Sequence, residues 1–156
     1  MKLTDFMQNA LILLDLEAKD RDEALRRLVK AAADNAAVRD PEAFLAEVIT
    51  RESLGSTAVG NGVAFPHARS ASVGQIVVVL GRLKKGVDFG AEDGEKVRLV
   101  VLMGTPPQEI ARYLKVLARF AALLRQEEVR SRLLHATSPA EVLRIIDQFD
   151  SAAQEP

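Results

Sequence analysis

Cysteine is absent from the 156-residue chain. That excludes disulfides, thiolate nucleophiles and cysteine-ligated zinc or iron–sulfur centres. Histidine is scarce as well, limited to His67 and His135, and the two give no metal-ligand spacing. A surplus of charge is missing too. The formal net charge is −1, which argues against a general nucleic-acid binder, because affinity for a phosphate backbone needs a basic excess. No apolar run approaches the ~20 residues of a membrane span. The opening Met1-Lys-Leu-Thr-Asp5 lacks the charged-then-apolar layout of a signal peptide. These absences set the expectation of a cytoplasmic protein that does not insert into a membrane and needs no metal or cofactor.

What is present describes an ordinary globular chain, 48% apolar and 28% charged, long enough for one domain with a real core. Ala10–Leu16 is a short apolar run that reads as a strand. Asp20 and Glu23 form a capping-box pattern before Leu25, Leu28, Val29, Ala32 and Ala36, so a helix is expected over about Arg21–Ala36. Asp40-Pro41 starts a second helix, with Phe44, Leu45, Val48 and Ile49 as its buried stripe and Gly55 at its end. Gly55–Ser72 has no helical period and reads as short extended pieces joined by turns. Gln75–Arg82 and Val97–Met103 are near-continuous apolar strands, separated by a polar, glycine-bearing connection over Lys84–Lys96. The last third is helical: Ile110 to Leu124, a shorter helix near Val129–His135, and a final one started by Ser138-Pro139-Ala140-Glu141. The expected fold is α/β: a single-domain sandwich over residues 1–150, with a central mixed β-sheet flanked by helices on both faces. Residues 151–156 are expected to be a disordered tail.

The chemistry concentrates in Arg51-Glu-Ser-Leu-Gly-Ser-Thr-Ala-Val-Gly-Asn-Gly-Val-Ala-Phe-Pro-His67-Ala-Arg69. A neutral imidazole is a usable nucleophile near pH 7, provided one ring nitrogen is free and the other is held as N–H by a fixed acceptor. Pro66 locks its own φ and biases Phe65 towards an extended conformation, so His67 leaves in a restricted direction. A phosphoryl group brings about −1.5 to −2 charge near neutral pH. Arg51 and Arg69 are the nearby cations that could offset it, and the hydroxyls of Ser56 and Thr57 could donate to it. Gly60 and Gly62 would let backbone N–H groups approach an anion. The plainer roles are also open: Arg51 as the last-turn cation of its helix, and the glycines as turn formers.

Taken together, Arg51-Glu52-Ser53-Leu54-Gly55-Ser56-Thr57 and Gly60-Asn61-Gly62-Val63-Ala64-Phe65-Pro66-His67-Ala68-Arg69 resemble the active-site signature of EIIA domains of the fructose/mannitol type in the bacterial phosphotransferase system. Nitrogen-regulatory EIIA proteins belong to the same family. Asp88-Phe89, Asp93-Gly94 and Leu114-Lys-Val-Leu-Ala118 extend the likeness over nearly the whole chain. The resemblance implies an α/β sandwich and a phosphohistidine carrier. His67 would accept phosphate from the phosphocarrier HPr or a nitrogen-type paralogue, then pass it to an EIIB domain or have it read by regulatory proteins. Arg51 would contact the phosphoryl group or the partner. The chain carries no fused EIIB or HPr module, which tilts the expectation towards nitrogen-type regulation over sugar transport. One departure stands out. Relatives commonly hold a second histidine where this chain has Tyr113, whose hydroxyl can donate to phosphate but cannot become cationic near pH 7. That substitution motivates the alternative of a non-catalytic interaction module. His135, near a helix C-terminus, reads as a structural residue.

Overall fold

The computed structural model describes residues 1–8 and 11–154. A one-turn 3-10 helix over Leu3–Phe6 precedes strand β1 (Ile12–Leu16), helix α1 (Arg21–Ala32) and helix α2 (Pro41–Leu54). Three short strands follow, β2 (Ala58–Gly60), β3 (Val63–Ala64) and β4 (His67–Arg69), then two long ones, β5 (Val77–Val87) and β6 (Val97–Thr105). Helices α3 (Ile110–Leu124), α4 (Glu127–His135) and α5 (Pro139–Gln154) complete the chain. The strands form one mixed sheet in the order β1-β5-β6-β3-β2, with β4 also paired to β6. Of the pairs, β1–β5, β3–β6 and β4–β6 are parallel, while β5–β6 and β2–β3 are antiparallel.

Helices cover both faces, which explains why β5 and β6 are apolar almost throughout. Val78 and Leu80 of β5, with Leu99, Val101 and Met103 of β6, pack under α3, α4 and α5. Their neighbours Val77, Val79, Val100 and Leu102 face the other way, under α1 and α2. Period-2 alternation thus feeds two cores from one strand. The helix starts follow local chemistry: the Asp20 carboxylate accepts the Glu23 N–H at 2.8 Å, and Asp40 accepts the Ala43 N–H at 3.1 Å.

Several boundaries differ from the sequence expectation. Ala10 lies outside the described residues, and β1 is described from Ile12. Helix α1 stops at Ala32, not Ala36, because Asn35 folds the chain into turns, its side chain accepting the Ala37 N–H. Those turns bring Val38 to a bridge with Val73. Strand β5 runs on through Lys84 and Lys85 to Val87, past its expected end, because an irregularity in register lets Val87 pair with Val97. Helix α5 continues through Gln154, beyond the expected end of order at residue 150. Asp150 anchors it: its buried carboxylate accepts two hydrogen bonds of 2.6 Å from Arg119 on α3 and the Leu3 N–H at 3.1 Å.

Candidate functional site

Strands β3 and β4 lie end to end along β6, in registers Val63↔Leu99 and His67↔Met103. Phe65 and Pro66 bridge the gap between them. Pro66 has no N–H to leave unpaired, and its carbonyl accepts the Met103 N–H at 2.9 Å. His67 is therefore fixed to the sheet at its own position and at the residue before it. Its Nδ1 lies 3.0 Å from the Phe65 carbonyl oxygen. A carbonyl can only accept, so Nδ1 carries the ring proton and Nε2 keeps its lone pair. A backbone carbonyl thus faces the nitrogen that must carry the proton in the tautomer that nucleophilic attack requires.

His67 opens on a cleft of about 570 Å³ between α2 and α3. Four of the six residues singled out from sequence line it: His67, Arg51, Arg69 and Tyr113. Arg51 sits in the last turn of α2 and donates from Nη1 to the Gly55 carbonyl at 2.8 Å, so it serves the helix end while its remaining N–H groups stay free to serve the cleft. Arg69, at the exposed end of β4, pairs with no acceptor among the described residues. Tyr113 is 4% exposed, and its ring meets that of His67 edge-on at a centroid distance of 5.9 Å and 66° between planes. Burial pushes its hydroxyl up to about 12, against the opposing charge of Arg51. The position singled out in the sequence for lacking a second histidine is thus directly beside His67, and it is held by a neutral phenol.

Ser56 and Thr57 do not line this cleft. The Thr57 hydroxyl donates to the Glu52 carboxylate, and the Ser56 hydroxyl donates to the Phe89 carbonyl while accepting the Ala58 N–H. Gly60, Asn61 and Gly62 all have positive φ and form the β2–β3 turn. The Asn61 N–H is taken by Asp93 at 3.0 Å. The backbone N–H groups of Glu95 and Asn61 hold the Asp93 carboxyl below the usual carboxylate range. The glycine-rich stretch therefore shapes a turn tied to the Asp93 loop, away from His67.

Sequence reasoning passed over Glu52, which is 2% exposed. Its oxygens accept the Thr57 N–H at 2.7 Å and the Thr57 hydroxyl. The signal was available: Phe44, Val48 and Glu52 recur every four residues, so the carboxyl lies on the buried stripe of α2. The apolar rim of the cleft was also missed. Leu54 and Leu114 stand 81% and 55% exposed beside it, with Ile110 and Leu117 behind. Helical periodicity assigns Leu114 and Leu117 to a core face, and only the packing of α2 against β4 leaves that part of the face open. Among the described residues, no group of three or more His, Asp or Glu side chains is placed to hold a metal ion, and no helix is long and apolar enough to cross a membrane.

Comparison with known proteins converges on one family. The profile for the phosphoenolpyruvate-dependent sugar phosphotransferase system, EIIA 2, matches residues 5–149. The fructose-specific EIIABC component of Bacillus subtilis is 33% identical over 150 residues, covering 96% of this chain and 24% of that one. The chain thus spans about a quarter of that relative's length. The crystal structure of nitrogen regulatory protein IIA-Ntr from Neisseria meningitidis is similar at a TM-score of 0.87 and 28% identity, covering 92% of this chain and 98% of that one. The IIAMTL chain in the complex of enzyme IIAMTL and phosphorylated enzyme IIBMTL from Escherichia coli matches at 0.78 and 28%, covering 90% and 96%.

Proposed function

We propose that this chain, which belongs to the EIIA 2 family of the phosphoenolpyruvate-dependent sugar phosphotransferase system, carries a phosphoryl group on His67 between two protein partners. The observation that carries the reading is the bond from His67 Nδ1–H to the Phe65 carbonyl, which leaves Nε2 as the attacking atom. As Nε2 bonds to phosphorus, the bond from phosphorus to the donor breaks and the Nδ1 proton stays on the ring. The imidazole gains positive charge in that step, and the Phe65 carbonyl dipole already faces the proton that shares it. Arg51 and Arg69 offset the charge of the phosphoryl oxygens, and the Tyr113 hydroxyl donates to one of them.

The donor is phosphorylated HPr or a nitrogen-type paralogue. The acceptor is an EIIB domain, in keeping with the structural neighbour solved with phosphorylated enzyme IIBMTL, or the phosphorylated state is read by a regulatory protein. Exposed Leu54 and Leu114 suit a protein partner that covers the cleft and excludes water during transfer. We assign this exchange to the cytoplasm, and among the described residues no helix is long and apolar enough to cross a membrane. A module that only binds partners has no use for a fixed imidazole tautomer, so the His67 geometry favours transfer. Incubation with phosphorylated HPr is expected to give about one acid-labile phosphoryl per chain at a nucleophilic histidine, and His67→Ala to give none. Equal labelling of the alanine variant would overturn the assignment.

A further inference from the structure

Four residues separated in sequence form a continuous hydrogen-bonded chain that ends at His67 Nδ1. The buried Glu52 carboxyl on α2 takes the Thr57 N–H at 2.7 Å and the Thr57 hydroxyl. The Thr57 carbonyl takes the Phe65 N–H at 3.1 Å. The Phe65 carbonyl takes His67 Nδ1–H at 3.0 Å. Glu52 lines no part of the cleft and has no ion-pair partner among the described residues. A carboxyl placed 2% exposed on an otherwise apolar helix stripe is costly unless its acceptors are filled. Thr57 fills both oxygens, and among the described residues nothing else competes for them. The stripe position would accept an aliphatic side chain as the fourth-spaced continuation of Phe44 and Val48, so packing does not account for the carboxyl.

We infer that Glu52 is a positioning residue for phosphoryl transfer: through Thr57 and Phe65 it holds the carbonyl that fixes the His67 tautomer and aim. The inference rests on the proposed phosphoryl-carrier function. Its physical content is leverage. Among the described residues the Phe65 carbonyl is the only acceptor for Nδ1, and it belongs to a two-residue link between β3 and β4. The Phe65 N–H, one peptide earlier, is held by the Thr57 carbonyl, and Pro66 leaves the peptide of the Phe65 carbonyl without an N–H of its own. With the Glu52–Thr57 contact gone, the turn entering β2 is left with its Ser56 ties to Phe89 and Ala58, the Phe65 φ and ψ that aim the carbonyl are less constrained, and Nδ1 and Nε2 compete for the proton.

The test reads the tautomer directly, by ring 15N NMR of the full chain at a pH where His67 is neutral, with His135→Ala assigning the signals. Wild type is expected to show Nδ1–H alone. Glu52→Ala and Thr57→Val, which lose the contact to the Thr57 hydroxyl, are expected to show a mixture of both tautomers, and Glu52→Gln, whose amide oxygen accepts the Thr57 N–H and whose NH2 can donate to the Thr57 hydroxyl, to return towards wild type. In parallel, phosphorylation by phosphorylated HPr is expected to lose about ten- to a hundredfold in kcat in Glu52→Ala, with KM for the donor unchanged. The small donor phosphoramidate, which needs no docking surface, should show the same loss. If Glu52→Ala does not fold, Thr57→Val, which retains the backbone N–H to Oε2 bond, carries the same readouts. A single Nδ1–H tautomer at wild-type rate in the folded variants would reduce Glu52 to a stabilising residue and overturn the inference. A wild type that resists every phosphoryl donor would refute the carrier function instead, and the tautomer arm would still decide the role of Glu52.

Discussion

Tyr113 is the only tyrosine and tryptophan is absent, so tyrosinate absorbance in the near ultraviolet reports on one residue beside the candidate site. Its hydroxyl is pushed from 10.0 up to about 12 by burial, with the Arg51 charge pulling the other way. In the unfolded chain the phenol ionises near its ordinary value of about 10. Between those two values the unfolded chain has released a proton that the folded chain still holds, so stability falls as pH rises. The contribution is complete below about pH 10 and is lost as pH passes about 12. At about 1.36 kcal/mol per pH unit the full loss is at most ~2.7 kcal/mol, and less if the hydroxyl keeps access to cleft water. The assay pairs an absorbance titration with far-ultraviolet circular dichroism, then compares urea unfolding of wild type and Tyr113→Phe at about pH 9 and about pH 11. Well below about pH 12 tyrosinate is expected to appear only with unfolding, and wild type should lose more stability across that interval than the phenylalanine variant. Half-titration near pH 10 in a chain that is still folded would refute the buried placement of the ring.

Four further outcomes follow from the same geometry. Tyr113→His should give the phosphorylation rate a new dependence on pH, rising as the introduced imidazole becomes cationic below its ordinary value of about 6.5; wild type should lack it when rates are measured against pH. Arg51→Lys should slow phosphorylation about tenfold or more while leaving urea stability nearly unchanged, because a single ammonium cannot hold the Gly55 carbonyl and fork onto a phosphate together. Asp150→Ala strands the Arg119 guanidinium and the Leu3 N–H, so urea unfolding should show a loss of about 3–5 kcal/mol; a loss below ~1 kcal/mol would mean that the pair is solvated. Gly104→Ala would place a Cβ 2.7 Å from Phe44 Cζ and 2.8 Å from Cε1, and thermal unfolding should register about 1–3 kcal/mol of overpacking that Phe44→Leu partly relieves.

Much of the fold was legible because local chemistry and global packing agree. The Asp20 and Asp40 caps, Gly55 after α2 and Pro139 at the start of α5 are all where the sequence placed them. Two of the errors fall where a distant partner sets an end. Val87 stays in β5 because Val97 pairs with it, and α5 outlasts residue 150 because Arg119 and Leu3, far away in sequence, hold Asp150. The site divided along the same line. Residue types marked His67, Arg51 and Arg69, the family resemblance marked Tyr113, and the fold brings the four to one cleft. Ser56 and Thr57 carry the right hydroxyls, but the competing acceptors Phe89 and Glu52 claim them first.

The sequence by itself determined the helices, the two-faced strands and the histidine that follows a proline, because periodicity, caps and fixed φ angles act within a few residues. Only the tertiary structure decided which hydroxyls are spent, which leucines stay exposed, and which nitrogen of His67 is free. Each of those depends on a hydrogen-bond or packing partner brought close by the sheet: the Phe65 carbonyl across Pro66 for the imidazole, Glu52 for Thr57, and the gap between α2 and α3 for Leu54 and Leu114.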